Sequence, residues 1–289
     1  MDKAKQEGPV TNMTQCGNLD PIAKESLKGL FVMKCGGSTL AALPDSFFED
    51  LRELQTAGFQ PVIVHGGGPA ISDNLAKLGI ESSFMNGLRV TTEEVLDVVE
   101  MTLAGSINKA IVRRIQGSGG QALGISGEDG NLILARPVAN SAEVGLVGEV
   151  TEVKAEIVTG ILSMGYIPVI APIGVDPEGQ RYNINADTAA GAVASHVKSP
   201  QMIVVTDVPG IMSTVEGQKV VLSSVTVQEI EELIASGEIY GGMIPKVRAA
   251  MDCIQGSVSE VVIVDGKEPG VLSRVLQGEK LGTRIIRSN

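Results

Sequence analysis

The chain has 289 residues, 43% hydrophobic and 20% charged, enough for one large α/β domain or two small lobes around a substantial core, and disorder is excluded for most of it. Thirty-four acidic against 23 basic residues give a net charge of −11, which argues against nucleic acid or an anionic membrane as the main partner, so any bound anion is held locally. Three cysteines at no metal-ligand spacing, no apolar run approaching the ~18 residues of a membrane span, and no signal-peptide core in residues 1–28 point to a soluble cytoplasmic protein.

Residues 1–29 are polar and without period, and read as an extension outside the fold. A buried strand is expected at 31–34, a helix at 45–57 closed by Gly58, and a second strand at 61–65. The next helix has Pro69 in its first turn and Gly79 past its end, the usual start and stop asymmetry. Thr91 and Glu94 form a capping-box pattern ahead of a long helix to about Gln116, with Val95, Val99, Leu103, Ile107 and Ile111 on one face. Apolar runs at 122–126, 132–138, 145–150, 167–171, 202–206 and 261–265 then alternate with helical patterns at 154–164, 186–196, 227–236 and 245–254. That order predicts a mainly parallel sheet with helices on both faces, hairpins inserted near 130–150, and ligands at the carboxyl ends of the strands.

The 35 glycines cluster in loops. Lys34-Cys35-Gly36-Gly37 sets a lysine at a strand end before a glycine turn, where converging N–H groups and a point charge suit phosphate; a turn with a snorkelling lysine is the ordinary alternative. His65-Gly66-Gly67-Gly68-Pro69 ends the next strand and opens a helix, so N–H groups and the positive helix end face one place. Neither loop fits Gly-x-Gly-x-x-Gly or the Walker pattern. His65 reads as a structural hydrogen-bonder rather than a base. Arg89, beside a turn glycine, suits a carboxylate or a surface ion pair. Asn183 offers an amide to a ligand, and Asp187 is either a helix N-cap or a carboxylate that holds lysines. Lys246, behind Gly241-Gly242, is a second phosphate-seeking lysine or a solvated helix residue.

Together the segments at Lys34-Cys35-Gly36-Gly37, 65–69, Asn86-Gly87-Leu88-Arg89-Val90, Asn183-Ile184-Asn185-Ala186-Asp187 and 241–246 resemble the amino acid kinase family, and within it the N-acetylglutamate kinases, over about residues 31–286. The resemblance implies a three-layer αβα sandwich with an open, mainly parallel central sheet. An acceptor-binding lobe at about 30–195 and an ATP-binding lobe at about 196–289 would follow. It also implies ATP-dependent phosphorylation of the side-chain carboxylate of N-acetyl-L-glutamate, with ATP and Mg2+ and no protein-bound metal. Lys34 and Lys246 would neutralise the transferring group and Asp187 would orient both. Gly36, Gly37, Asp207, Gly210 and Gly242 would meet the nucleotide and its phosphates. Gly67, Gly68, Arg89 and Asn183 would hold the acceptor.

Arginine-inhibited hexameric relatives carry a helix before the first strand and an acidic residue near the carboxyl end. Here the leading segment is short and Leu272-Ser273-Arg274 stands in the later place, so the expectation is an arginine-insensitive homodimer formed through the 92–116 helix. An N-blocked aminoadipate as acceptor, a non-catalytic sensor on the same fold and a dinucleotide-binding oxidoreductase are the competing readings; the last lacks its fingerprint.

Overall fold

The strand that begins the fold is buried at every position, as a strand covered on both faces must be. The computed structural model describes residues 29–287 apart from 37–38, 40–41, 216–217, 242 and 256–257. In chain order the strands are β1 (Leu30–Cys35), β2 (Gln60–His65), β3 (Phe84–Met85), β4 (Leu88–Arg89), β5 (Ala122–Ser126), β6 (Ile133–Pro137), β7 (Val147–Val153), β8 (Ile167–Ala171), β9 (Ile173–Val175), β10 (Arg181–Ile184), β11 (Gln201–Thr206), β12 (Met212–Val215), β13 (Gln218–Val221), β14 (Ser224–Thr226), β15 (Glu260–Asp265) and β16 (Thr283–Ile286). The main helices are α1 (Asp45–Thr56), α2 (Gly68–Leu78), α3 (Glu93–Glu100), α4 (Asn108–Gly117), α5 (Ala155–Ser163), α6 (Ala186–His196), α7 (Val227–Ala235), α8 (Met243–Gln255) and α9 (Val271–Leu276).

Eight strands form one sheet in the order β14-β16-β15-β11-β1-β2-β8-β5. Every pair is parallel except β15–β16. Alternation along β1 decides which residues meet which layer. Leu30 and Val32, with Val62, Val64, Met202 and Val204 of the flanking strands, pack on one side against Ala189, Ala190 and Val193 of α6 and Val247 and Ala250 of α8. Phe31, Met33 and Cys35 pack on the other against Phe47 and Leu51 of α1, Ile115 of α4 and Leu272 of α9. The small side chains of α6 let it lie close to β1. At Gly191 even a Cβ would overlap the Cys253 sulfur of α8.

The expected three-layer sandwich and the antiparallel β6–β7 pair near 130–150 are both present. β6 and β7 extend further, closing with β9 and β10 into a small barrel that the sequence reading did not anticipate. Two features of the 92–116 helix differ from expectation. Its N-cap is Thr92, which accepts from the Val95 N–H, because the buried Thr91 hydroxyl is committed elsewhere: it donates to the Arg89 carbonyl at 2.7 Å and accepts from the Asn183 amide at 3.2 Å. The helix is also not α throughout, since Met101–Ile107 is a π-helical stretch between α3 and α4. The apolar residues recur every four positions, more than the 3.6 of an α turn, and the wider π turn absorbs that drift. Val95, Val99 and Leu103 thereby stay against α2 and β9, while Ile111 joins the core beneath β1.

Candidate active site

The sheet changes winding direction at β1, with β2 on one side and β11 on the other, and open parallel sheets bind ligands beyond the strand ends at such a point. Two cavities open there. One, of about 300 Å³, is lined by Lys34 and Gly36 after β1, Gly66 to Gly68 after β2, Arg89, Asn183 and Asp187. The other, of about 490 Å³, is lined by Val208, Gly210, Glu238, Tyr240 and Lys246 among others.

Lys34 continues the row of Leu30 and Val32, so it emerges on the α6 side at the end of β1. It is 7% exposed, and a buried ammonium needs a partner. Asp187 in the first turn of α6 supplies it, with Nζ and Oδ1 2.8 Å apart. Asp187 is free for this because it is not the helix cap: Asn185 is, accepting from the N–H groups of Asp187 and Thr188 at 2.8 and 3.2 Å. Sequence reasoning missed Asn185 in that role, although an Asx residue two before a carboxylate is its signal.

Arg89 sits at the end of the β3–β4 hairpin, whose turn residues Asn86 and Gly87 both have positive φ (51° and 82°), the two-residue geometry Asn-Gly favours. The guanidinium donates to Gly68 O at 3.1 Å and Ser72 Oγ at 2.9 Å, donates also to Ser82 Oγ, and lies 4.5 Å from the Phe84 ring centre. Burial lowers its pKa, but an arginine stays protonated. Among the described residues no carboxylate pairs with it, so the surface ion-pair alternative fails and a fixed positive charge faces the cavity it lines.

Gly67 and Gly68 line the same cavity at the start of α2. A Cβ on Gly67 would come within 2.6 Å of Leu103 and overlap Ile107, so side chains of the π-helical stretch press on the loop from below and a larger residue would displace them. Asn183 uses its amide nitrogen on Thr91. On the other cavity, Gly210 has φ 148° and its missing Cβ would meet Thr283 Oγ1 at 2.6 Å. Lys246 lines this cavity without an ion pair among the described residues. Asp187 pairs with Lys34, and among the described residues it makes no ion pair with Lys246. Asp207 is exposed and does not line either cavity, although its neighbour Val208 does. Gly37 and Gly242 lie outside the described residues. His65 is wholly buried, and burial pushes its pKa down to about 4. The thiols of Cys35 and Cys253 are pushed up to about 12 by burial, which leaves them unreactive.

A lysine fixed at the head of the central strand, neighbouring turns that offer N–H groups, and an unpaired guanidinium suit phosphoryl transfer to an anionic acceptor. The chain belongs to the amino acid kinase family, whose profile residues 29–265 match. Within it, acetylglutamate kinase of Halalkalibacterium halodurans is 47% identical over 256 residues, covering 89% of this chain and 95% of that protein. Acetylglutamate kinase of Brevibacillus brevis is 47% identical over 261 residues, covering 90% and 97%. The solved structure of smu.665 from Streptococcus mutans has a TM-score of 0.79 at 29% identity, covering 90% of this chain and all of that one.

Proposed function

We propose that this protein is an ATP-dependent kinase of N-acetyl-L-glutamate, which forms the side-chain acyl phosphate and ADP, a step of arginine biosynthesis. The observation that carries the acceptor is the Arg89 guanidinium, without a carboxylate partner among the described residues, in the same cavity as the Lys34–Asp187 pair, because the acceptor has one carboxylate to bind and another to phosphorylate. Arg89 takes the α-carboxylate in a bidentate fork that replaces its bonds to Ser72 and Ser82. Asn183 meets the acetamido group, and the N–H groups of Gly67 and Gly68 hold the reacting carboxylate.

One oxygen of that carboxylate attacks the γ-phosphorus in line, and the bond to the β,γ-bridging oxygen breaks with its electron pair leaving on ADP. No base is required, since the nucleophile is already ionised near neutral pH. Lys34, kept in place by Asp187, and Lys246 neutralise the transferring group from the acceptor and nucleotide sides, with N–H groups of Gly36 and Gly37 on the phosphate oxygens. The nucleotide occupies the larger cavity, against Val208 and Gly210 after β11 and Lys246 of α8, with Asp207 and Gly242 as further contacts. Residues 30–195 then form the acceptor lobe and 196–289 the ATP lobe. Mg2+ arrives with the nucleotide: among the described residues no three His, Cys, Asp or Glu side chains gather as a metal site, and Mg2+ is commonly carried on phosphates. The working form is a cytoplasmic homodimer joined through residues 92–116. No helix among the described residues is long and apolar enough to cross a membrane.

The test is hydroxylamine trapping of the acyl phosphate with Mg-ATP and either N-acetylglutamate, free glutamate or N-acetylaminoadipate. Hydroxamate from N-acetylglutamate alone is expected. Preference for the aminoadipate would change the acceptor, and no product from any acceptor in a folded, ATP-binding protein would replace the kinase reading with a sensor.

A further inference from the structure

The mechanism leaves one buried titratable group unused. His65 ends β2 opposite Cys35 in the sheet register, so its ring lies on the face away from Lys34. Its Nε2 faces the side-chain amide nitrogen of Asn108 at 3.2 Å, and its Nδ1 faces the carbonyl oxygen of Gly66 at 3.2 Å. A carbonyl only accepts and an amide nitrogen only donates, so Nδ1 carries the proton and Nε2 is the acceptor.

Asn108 is built in for this contact. It is wholly buried at the first position of α4, where the π-helical stretch ends. Its amide nitrogen also donates to Val169 O at 2.8 Å and Ile125 O at 3.1 Å, tying it to β8 and β5, and its oxygen accepts from Lys109 Nζ at 3.0 Å. Gly124 makes room, since a Cβ there would overlap the Asn108 amide oxygen. Four hydrogen-bonding partners thus hold the amide, and its two N–H hydrogens are shared among three acceptors, His65 Nε2 among them.

The Gly66 N–H is bound to Cys35 O at 3.0 Å, and its carbonyl is drawn to His65 on the far face. In a planar trans peptide the C=O and the following N–H point oppositely. The Gly67 N–H is therefore turned from His65 toward the side of Lys34, and it has no partner among the described residues.

We propose that His65 is a positioning residue: held by Asn108 as the Nδ1–H tautomer, it fixes the Gly66–Gly67 peptide so that the Gly67 N–H is presented to the acceptor. This rests on the phosphoryl-transfer reading of the cavity. It gives the glycine loop a rigidity that glycine itself lacks, and a donor fixed before reaction is what stabilises developing charge.

The first test uses the unaltered protein. It has two histidines, His65 and the exposed His196, so imidazole 15N spectra contain two sets of signals. His65 is expected to show a protonated Nδ1 and an unprotonated Nε2, unchanged from pH 8 to pH 5.5. A protonated Nε2, or protonation within that range, would overturn the proposal; the Lys109 ammonium acts with burial to keep the ring neutral. The second test compares two amides. His65→Asn places an N–H where Nδ1 was, whereas His65→Gln reaches toward Asn108 and cannot donate to Gly66. The Asn variant should keep kcat within about threefold, and the Gln variant should lose about 10–100-fold with KM for ATP within about twofold, less than the ~10²–10³ of deleting a donor outright. Equal losses in two folded variants would count against it. Failure of the unaltered protein to turn over any acceptor would strike the kinase reading instead, and the spectra would still decide the tautomer.

Discussion

Lys34 and Lys246 carry the same proposed role in opposite surroundings. Lys34 is nearly buried, locked to Asp187 on one of the helices that pack on the sheet, and joined by an arginine caged among hydroxyls and a carbonyl. Lys246 is half-buried beside a larger cavity and has no ion pair among the described residues. The acceptor side is thus organised before any ligand arrives, because its charges are buried too deeply to be left unpartnered. The nucleotide side leaves its cation available, and the polyphosphate completes it.

Replacing each lysine is the strongest way to break this contrast. Lys34→Ala should lower kcat by about 10³-fold or more and also lower the thermal midpoint, since Asp187 loses its partner. Lys246→Ala should lower kcat by about 10²–10³-fold and leave the midpoint unchanged. Equal midpoint losses in calorimetry would erase the distinction. Next in size is the pH dependence contributed by His65. Its folded pKa of about 4 lies below the ordinary histidine value of 6.5, so the unfolded chain takes up the proton first. The resulting stability is fully present above about pH 6.5 and is lost as pH falls toward about 4, on the order of 3 kcal/mol over the window. Urea unfolding at pH 7.5 and 4.5 should show a larger drop for the native protein than for His65→Asn. Arg89→Ala should raise KM for the acceptor by about 10–100-fold with kcat little changed. Lys at that position should not restore it, because an ammonium cannot form the fork; a kcat effect instead would make Arg89 part of the chemistry. The smallest effect tests the cap that frees Asp187: Asn185→Ala should cost about 1 kcal/mol in urea unfolding.

Much of this organisation was legible in the sequence because it is local. The Lys34 strand end, the proline and glycine that bracket α2, and the antiparallel pair near 130–150 depend on neighbouring residues and appear as read. What escaped depends on distant partners. Thr91 looked like the cap of α3 until Asn183, far along the chain, proved to use its hydroxyl. Asp207 follows a strand as a nucleotide turn would, yet its exposure is set by how the loop folds onto Thr206, whose hydroxyl accepts from the Val208 N–H. Asn108 carried no signal, since a polar residue in an amphipathic helix ordinarily faces solvent. The four-residue spacing of the apolar row was visible, and its excess over 3.6 was the clue to the π-helical stretch that buries Asn108.

The missing side chain at Gly124 has an evolutionary consequence. Because a Cβ there would occupy the space of the Asn108 amide, glycine at 124 is needed for as long as Asn108 keeps its place. A lineage that acquires alanine at 124 displaces the Asn108 amide, and with it the anchor of the first glycine turn after β2. Transplanting that turn onto another parallel sheet together with its Asn108 anchor would accordingly mean carrying over a glycine from the edge strand β5, a residue that lines neither cavity.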